Sequence, residues 1–455
     1  MFAANNFIRK MKKVLVVGAG KSATILIRYL LEEAGKEGWQ VTIADLDPRL
    51  AEQKCGGHPH GRAMAFSLHD EQLRQSLVKD HDVVVSMLPP SMHIMLAKDC
   101  LAWGKSLVTA SYVSDEMAAL DAEAKAKGVL LLNEMGVDPG IDHMTAMETL
   151  DHLRRKGHKI IGFESFTGGL MAQDSEGGPW KYKFTWNPKN VVMAGAAGPA
   201  RFLHRGKLKN IPYTQLFKRT DHLEIPGWGA FEAYGNRDSL KYKRLYQLNE
   251  VHTLYRGTLR RPGFCSAWHL FVQMGLTDDA HPLSCAPDWT RAAFLQTFLP
   301  EMPGYTLPQI ISQTFGIPEN APELEKFEAL GLFSNIPMGL QGDMTPADIL
   351  LSILQQHWSL SSGDKDLLVM LHQFEYEDQG KVKKLQSHLC LTGKNEMETA
   401  MALTVGLPAA IGACLILRGK MPLTGVHIPV LPEIYEPVLE ELRLQGVFMN
   451  TYEIL

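Results

Sequence analysis

Two groups of residues in this chain have the types and the spacing to do chemistry. The first is Gly18-Ala19-Gly20-Lys21-Ser22-Ala23, which follows the β-branched run Val14-Leu15-Val16-Val17 and leads into a helical pattern. A strand, a glycine loop and a helix in that order make a phosphate-binding turn. Gly18 permits the tight bend, Gly20 lets the backbone approach a pyrophosphate, and Ala23 allows close contact between helix and sheet. The loop is a weak signal by itself. Asp45, at the end of the next strand-like run, adds the carboxylate expected on an adenosine ribose, and the combination points to a dinucleotide. The competing reading is a glycine turn in another doubly wound fold, with Asp45 merely opening a helix. The Asp45 charge would repel a ribose 2′-phosphate, and Leu46 offers no guanidinium in compensation, although Arg49 is near. The expected cofactor is therefore NAD, with NADP still compatible. The second group is Ser111, Tyr112 and Asp138, which stand just past later strand-like runs, where doubly wound sheets bind their ligands. Each has a plainer alternative: strand-end residues and a buried aromatic for Ser111 and Tyr112, and for Asp138 an Asp-Pro-Gly turn that caps the following helix.

These side chains need a sheet to place them. Apolar runs at 14–17, 41–44, 82–86, 106–109 and 129–132, with a weaker one at 63–66, alternate with helical spacing at 24–33, 71–79, 93–103 and 114–127. Such alternation predicts an α/β fold, a Rossmann-type doubly wound parallel sheet over residues 1–135. Residues 136–390 are expected to form a mixed α+β domain. Aromatic, turn-rich strand segments dominate to about Asp279, a helical insertion runs from about 287 to 356, and a hairpin turns at Asp378-Gln379-Gly380. Helical patterns at 396–405, 409–418 and 433–445 close the chain in a segment 391–455. His93 opens the helix after the fourth strand. It reads equally well as a neighbour of the cofactor or as a solvent-exposed residue and, with 17 histidines present, is not counted as catalytic.

Composition narrows the partners. The 46 basic and 50 acidic side chains of this 455-residue chain leave a net charge of -4 and no broad basic field for nucleic acid. The six cysteines are scattered without a CxxC pair, which fits reduced thiols inside a cell rather than a disulfide scaffold or a zinc site. No His/Cys/Asp cluster has metal-ligand spacing. The basic N-terminus, Met1 to Lys13, precedes too short an apolar core for a signal peptide, so the expected address is cytoplasmic. The uncharged run Thr399 to Leu417 is long enough to raise a membrane span. Gly406, Pro408 and Gly412 interrupt it, and a turn followed by a short buried helix opening at Pro408 is expected instead.

Several further segments carry a family pattern: Thr109-Ala110-Ser111-Tyr112-Val113, Asn133-Glu134-Met135-Gly136-Val137-Asp138-Pro139-Gly140-Ile141-Asp142-His143, Tyr182-Lys183-Phe184-Thr185-Trp186, Tyr234-Gly235-Asn236-Arg237-Asp238-Ser239 and Tyr255-Arg256-Gly257-Thr258-Leu259-Arg260. In this order and spacing they resemble saccharopine dehydrogenase of the L-glutamate-forming type, over nearly the whole chain. The resemblance implies interconversion of saccharopine with L-glutamate and 2-aminoadipate 6-semialdehyde by hydride transfer at a C–N bond through an imine. It also implies a homodimer whose middle region binds substrate and a C-terminal part that returns to the cofactor domain. On it, Asp138 and Tyr112 become candidates for proton transfer at the reacting nitrogen. Ser111, Tyr112, Asp138, Arg237, Thr258, Leu259 and Arg260 become candidate substrate contacts, and Leu88, Ala110 and Val137 join Gly18, Gly20, Lys21, Ser22, Ala23 and Asp45 around the cofactor. Two departures limit the transfer. Thr167 stands where fungal members have a cysteine before Gly168-Gly169, and Asp45-Leu46 replaces their arginine near the second strand. A carboxynorspermidine dehydrogenase-like activity, or a dinucleotide-binding homologue without activity, remains the alternative.

Overall fold

The computed structural model describes residues 11–454, and Arg9 and Lys10 of the basic extension lie outside the described residues. The chain divides into two compact units, Met1–His152 with Ala400–Phe448 and Leu153–Thr399 with Met449–Leu455.

The first unit is built on six β-αβ-type strands: β1 (Lys13–Val17), β2 (Gln40–Asp45), β3 (Gly61–Ala65), β4 (Val83–Ser86), β5 (Ser106–Thr109) and β6 (Leu130–Leu132). They lie parallel in the order β6-β5-β4-β1-β2-β3, and Gly425–His427 adds a seventh parallel strand beside β6. A sheet covered on both faces wants apolar residues at consecutive positions, and Val14, Leu15, Val16, Val83, Val84 and Val85 are all at most 1 % exposed. Where β1 meets β4 the winding of the chain reverses, and the C-terminal ends of the strands there form the crevice in which such sheets take their ligands.

Three expectations for this unit need correction. The run ending at Leu417 is one continuous helix, Ala400–Leu417, with Pro408 inside it rather than at its start. Fifteen of its residues are buried, so tertiary packing outweighs the lost N–H of the proline. A Cβ added at Gly406 would lie 2.8 Å from Ser22 O, so this helix crosses the start of the helix Ala23–Glu37 almost backbone to backbone. The segment 114–127 is two short helices, Asp115–Ala118 and Asp121–Ala126. The strand-like reading after Gly136 hid the helix Ile141–Arg155, which also carries this unit past residue 135 to His152. Its buried Ile141, Met144, Met147, Leu150 and Leu153 recur at threes, a helical period obscured by the polar residues between them.

The second unit is a nine-stranded mixed sheet. Its main path runs Asp221–Ile225, Gly229–Gly235, Thr253–Arg260, Lys159–Met171, Asp366–Asp378, Lys381–Thr392 and Asn450–Ile454. Neighbours are antiparallel except Thr253–Arg260 beside Lys159–Met171. The last strand corrects the expectation that all of 391–455 serves the cofactor unit: residues 450–454 extend this sheet through pairs such as Ser387 with Thr451. Helices between Arg291 and Trp358 pack an aromatic core in which Trp180 and Trp358 ring centroids are 5.2 Å apart. A further helix, Phe264–Met274, falls where strand was expected. The Glu232 carboxylate, from a neighbouring strand, accepts the Gly263 and Cys265 amides at its start, a cap supplied from 33 residues away.

Candidate active site

Every candidate residue of the first unit lies on one edge of its parallel sheet, because each follows the C-terminal end of a strand: Gly18 after β1, Asp45 at the end of β2, Leu88 after β4, Ala110, Ser111 and Tyr112 after β5, and Val137 and Asp138 after β6. The glycine loop has the form a pyrophosphate requires. Gly18 has φ +101°, and an added Cβ would stand 3.0 Å from Met87 O, so both backbone and space demand glycine. An added Cβ at Gly20 would meet nothing within 4 Å. Among the described residues the amides of Gly20, Lys21 and Ser22 donate to no protein group, while Ala23 N–H turns back to Gly20 O (3.0 Å) and starts the 15-residue helix. Donors without partners at a helix N-terminus, beside open space at a glycine, fit a dinucleotide phosphate. Ala23 is 1 % exposed, which gives the close helix–sheet contact.

Asp45 braces this loop. Its Oδ2 accepts Ala19 N–H (2.6 Å) and its Oδ1 accepts Asp47 N–H (2.9 Å), so the carboxylate ties the glycine loop to the end of β2. Leu46 is 78 % exposed, and Arg49 is held by Asp47 through two hydrogen bonds of 3.1 Å. The side chain of Val137 is buried, which leaves its backbone as the part available to a ligand.

These geometries give a contrasting pair of outcomes. Gly18→Ala should destabilise the fold by about 1–2 kcal/mol, because a Cβ is forced into a left-handed backbone. Gly20→Ala should leave thermal stability unchanged and weaken dinucleotide binding about tenfold or more, since the new methyl intrudes only on the ligand's space. Thermal denaturation and titration with reduced nicotinamide cofactor check both.

At the far side of the edge Tyr112 O–H donates to Asp138 Oδ1 (3.1 Å). Asp138 occupies the turn before the helix Ile141–Arg155, but the Gly140 amide at the start of that helix is accepted by Asp142 Oδ1 (2.6 Å). Two groups whose contacts the sequence did not disclose hold the residues on either side of Tyr112. Glu134, a non-glycine residue at φ +59° and 7 % exposed, accepts Val113 N–H through Oε1 (3.0 Å) and contacts His143 Nε2 through Oε2 (2.7 Å). It ties the loop carrying Tyr112 to the helix that follows Asp138. His93, left open by the sequence, is 4 % exposed rather than solvent-facing, with Nε2 2.7 Å from Ser111 Oγ. Neither role has a local signal, since Val113 is 21 residues from Glu134 and Ser111 is 18 residues from His93.

In the second unit Arg260 is 4 % exposed, and its Nη1 donates to Leu259 O (2.9 Å). The aromatic rings of Tyr182 and Phe264 lie 5.3 and 5.1 Å from its guanidinium carbon. Its Nε and the nearby Thr167 Oγ1 are buried without a hydrogen-bond partner among the described residues. Thr167 is the register neighbour of Thr258, which shares the Arg260 face of its strand. Leu259 points the other way, fully buried in an apolar cluster with Phe166 and Val369, so a side-chain contact with ligand is not available to it. The next residue, Arg261, is also enclosed, 9 % exposed and paired with Glu176 (2.5 Å). Arg237 is exposed with φ +51°, while its neighbour Asp238 pairs with Arg201 (3.3 Å). No group of three His, Cys, Asp or Glu among the described residues is placed to hold a metal ion.

The seven-stranded sheet, its glycine loop and the acid closing β2 define a Rossmann-type dinucleotide-binding oxidoreductase architecture. Residues 14–132 match the family described as saccharopine dehydrogenase NADP binding domain, and residues 136–447 match the saccharopine dehydrogenase C-terminal domain. The chain is 31 % identical over 449 residues to the saccharopine dehydrogenase [NADP(+), L-glutamate-forming] of Schizosaccharomyces pombe, covering 96 % of this chain and 98 % of that one. It is 32 % identical to the mitochondrial alpha-aminoadipic semialdehyde synthase of Bos taurus, of which it spans 48 %. The solved structure of apo saccharopine dehydrogenase (L-Glu forming) from Saccharomyces cerevisiae superposes with a TM-score of 0.87 at 29 % identity, covering 98 % of this chain and all of that one. The chain belongs to the L-glutamate-forming saccharopine dehydrogenase family.

Proposed function

We propose that this protein oxidises saccharopine to an imine, which water hydrolyses to L-glutamate and 2-aminoadipate 6-semialdehyde, or runs the reverse condensation, in lysine metabolism. The observation that carries the chemistry is the Tyr112–Asp138 pair at the strand ends of the dinucleotide sheet. The nicotinamide, when bound, accepts the hydride from the carbon beside the substrate nitrogen. Only the neutral amine expels that hydride, so its proton must first leave, and a carboxylate that accepts the Tyr112 hydroxyl is the proton acceptor of the two. Arg260 is the candidate partner for a substrate carboxylate, because a guanidinium matches a carboxylate in a planar two-point fit and its Nε is buried without a partner among the described residues. A nicotinamide absorbance assay with saccharopine tests the reading. No turnover with either cofactor would leave a binding homologue, and turnover only of another imine-derived substrate would favour the carboxynorspermidine type.

The finer cofactor choice in this proposal is NAD, although the fungal relatives named above carry NADP(+) in their names. What supports NAD is the charge of the Asp45 carboxylate at the end of β2, which would repel a ribose 2′-phosphate, together with the hydrogen bonding of Arg49 to Asp47. The unaltered protein should show the higher kcat/KM with NAD. Asp45→Asn combined with Leu46→Arg should move the ratio toward NADP by roughly tenfold or more. A higher kcat/KM with NADP in the unaltered protein would refute the argument. The same proposal includes a homodimer and a cytoplasmic address, checked by light scattering and by fractionation.

A further inference from the structure

The environment of His93 fixes more than its burial. Three hydroxyls surround the ring: Ser86 Oγ is 2.8 Å from Nδ1, Ser111 Oγ is 2.7 Å from Nε2, and Thr109 Oγ1 is 3.2 Å from Nε2 and 3.4 Å from Nδ1. Ser86 is 0 % exposed, and among the described residues its hydroxyl has one partner, His93. Burial also pushes the His93 pKa down to about 4, so the ring is neutral near pH 7, with one N–H donor and one bare acceptor nitrogen.

Those facts choose the tautomer. If Nδ1 carried the hydrogen, the fully buried Ser86 hydroxyl would keep a hydrogen with no acceptor, which buried polar groups avoid. If Ser86 O–H donates to a bare Nδ1, both groups are satisfied and Nε2 carries the hydrogen. Nε2–H then has Ser111 Oγ at 2.7 Å as its nearest acceptor. Thr109 Oγ1 accepts Ser111 N–H (3.3 Å), and its own hydrogen finds the same bare Nδ1 (3.4 Å). The Ser111 oxygen thus receives a hydrogen from behind, and its own hydrogen must turn away from His93, toward the strand-end edge where Ser111 is partly exposed.

We propose that His93 is a positioning residue which, by donating Nε2–H to Ser111, holds the Ser111 hydroxyl as an outward donor to a carboxylate or carboxamide oxygen of a bound ligand. The inference rests on the saccharopine reading for the identity of that ligand. The two sources of the oxygen, a substrate carboxylate and the nicotinamide carboxamide, separate in the measurements: the first appears in the saccharopine KM and the second in the affinity for reduced cofactor.

Two experiments test it. Long-range 1H–15N spectra of the free protein, with His93 assigned by its loss in His93→Gln, should show an Nε2–H ring that stays neutral from about pH 8 to about pH 5.5. An Nδ1–H ring, or titration near the ordinary histidine value, would overturn the assignment without reference to any substrate. In kinetics, Ser111→Ala and His93→Leu should each lower kcat/KM by about tenfold. The double variant should lose no more than either single one, because His93 acts through Ser111. His93→Gln, which keeps an amide N–H near the Nε2 position, should recover most of the loss. Additive losses, or equal loss in the Gln and Leu variants, would reduce His93 to a packing residue and refute the proposal. Failure of the unaltered protein to oxidise saccharopine would instead refute the functional reading and leave the spectroscopic result standing.

Discussion

Asp138→Asn is expected to fold like the unaltered protein and to turn over saccharopine roughly 10²–10⁴-fold more slowly, the usual worth of a positioned general base. Folding should survive because an asparagine Oδ1 still accepts the Tyr112 hydroxyl and fits the same turn before Ile141. The helix start itself does not depend on Asp138, since Asp142 accepts the Gly140 amide. The loss should fall on kcat with the melting temperature unchanged, and it should persist at saturating saccharopine. Near-native turnover would move the proton acceptor away from Asp138. Tyr112→Phe serves as the companion: it keeps the ring and removes the donor, so it should cost less than Asp138→Asn if the carboxylate takes the proton. The reverse order of effects would exchange the two roles.

Arg260→Lys should give the second large effect, a loss of saccharopine kcat/KM of about 2–5 kcal/mol with cofactor affinity little changed. The lysine keeps the charge and removes the planar fork, so what is measured is the two-point match to a carboxylate. The guanidinium at this position is 4 % exposed, sits beside Tyr182 and Phe264, and has an Nε with no partner among the described residues. An exposed surface arginine would make no such demand, and its loss would cost only about 0–1 kcal/mol. Arg237→Lys should be milder, because Arg237 stands exposed in a turn. Thermal denaturation of Arg260→Lys separates a binding loss from a packing loss. An unchanged saccharopine KM in both variants would show that neither arginine holds a substrate carboxylate.

Much of the site was legible because its signals are local. Gly18, Gly20, Ala23 and Asp45 are read from a strand, a turn and a second strand within 33 residues, and the backbone conformation at Gly18 agrees with the role assigned to it. Ser111, Tyr112 and Asp138 were reachable because a parallel sheet carries all its strand ends to one edge, so finding the strands found the edge. That the Leu259 side chain belongs to the core was not legible, because strand alternation assigns faces but does not say which face is core until the neighbouring strands are known. Glu134 was missed, and His93 left open, for another reason. A left-handed glutamate has no composition signal, and the state of a histidine depends on what encloses it.

The same division holds for the fold. The sequence by itself determined the parallel sheet, the glycine loop and the hairpin around Gln379, since each is encoded by periodicity and turn chemistry over a few neighbouring residues. Only the tertiary structure decided that Phe264–Met274 is a helix, because the carboxylate that caps it arrives from Glu232 on another strand. It also decided that Ala400–Leu417 runs unbroken through Pro408, since enclosure on every side compensates what the proline removes. Tertiary structure placed residues 450–454 on the second sheet by pairing them with a strand some sixty residues earlier in the chain. It pushed the His93 pKa down by burying the ring, which sits among hydroxyls from β4 and from the end of β5. Patterns in sequence report what a residue's neighbours along the chain require. Caps, pairings and protonation states are set by groups that approach only after the chain has folded.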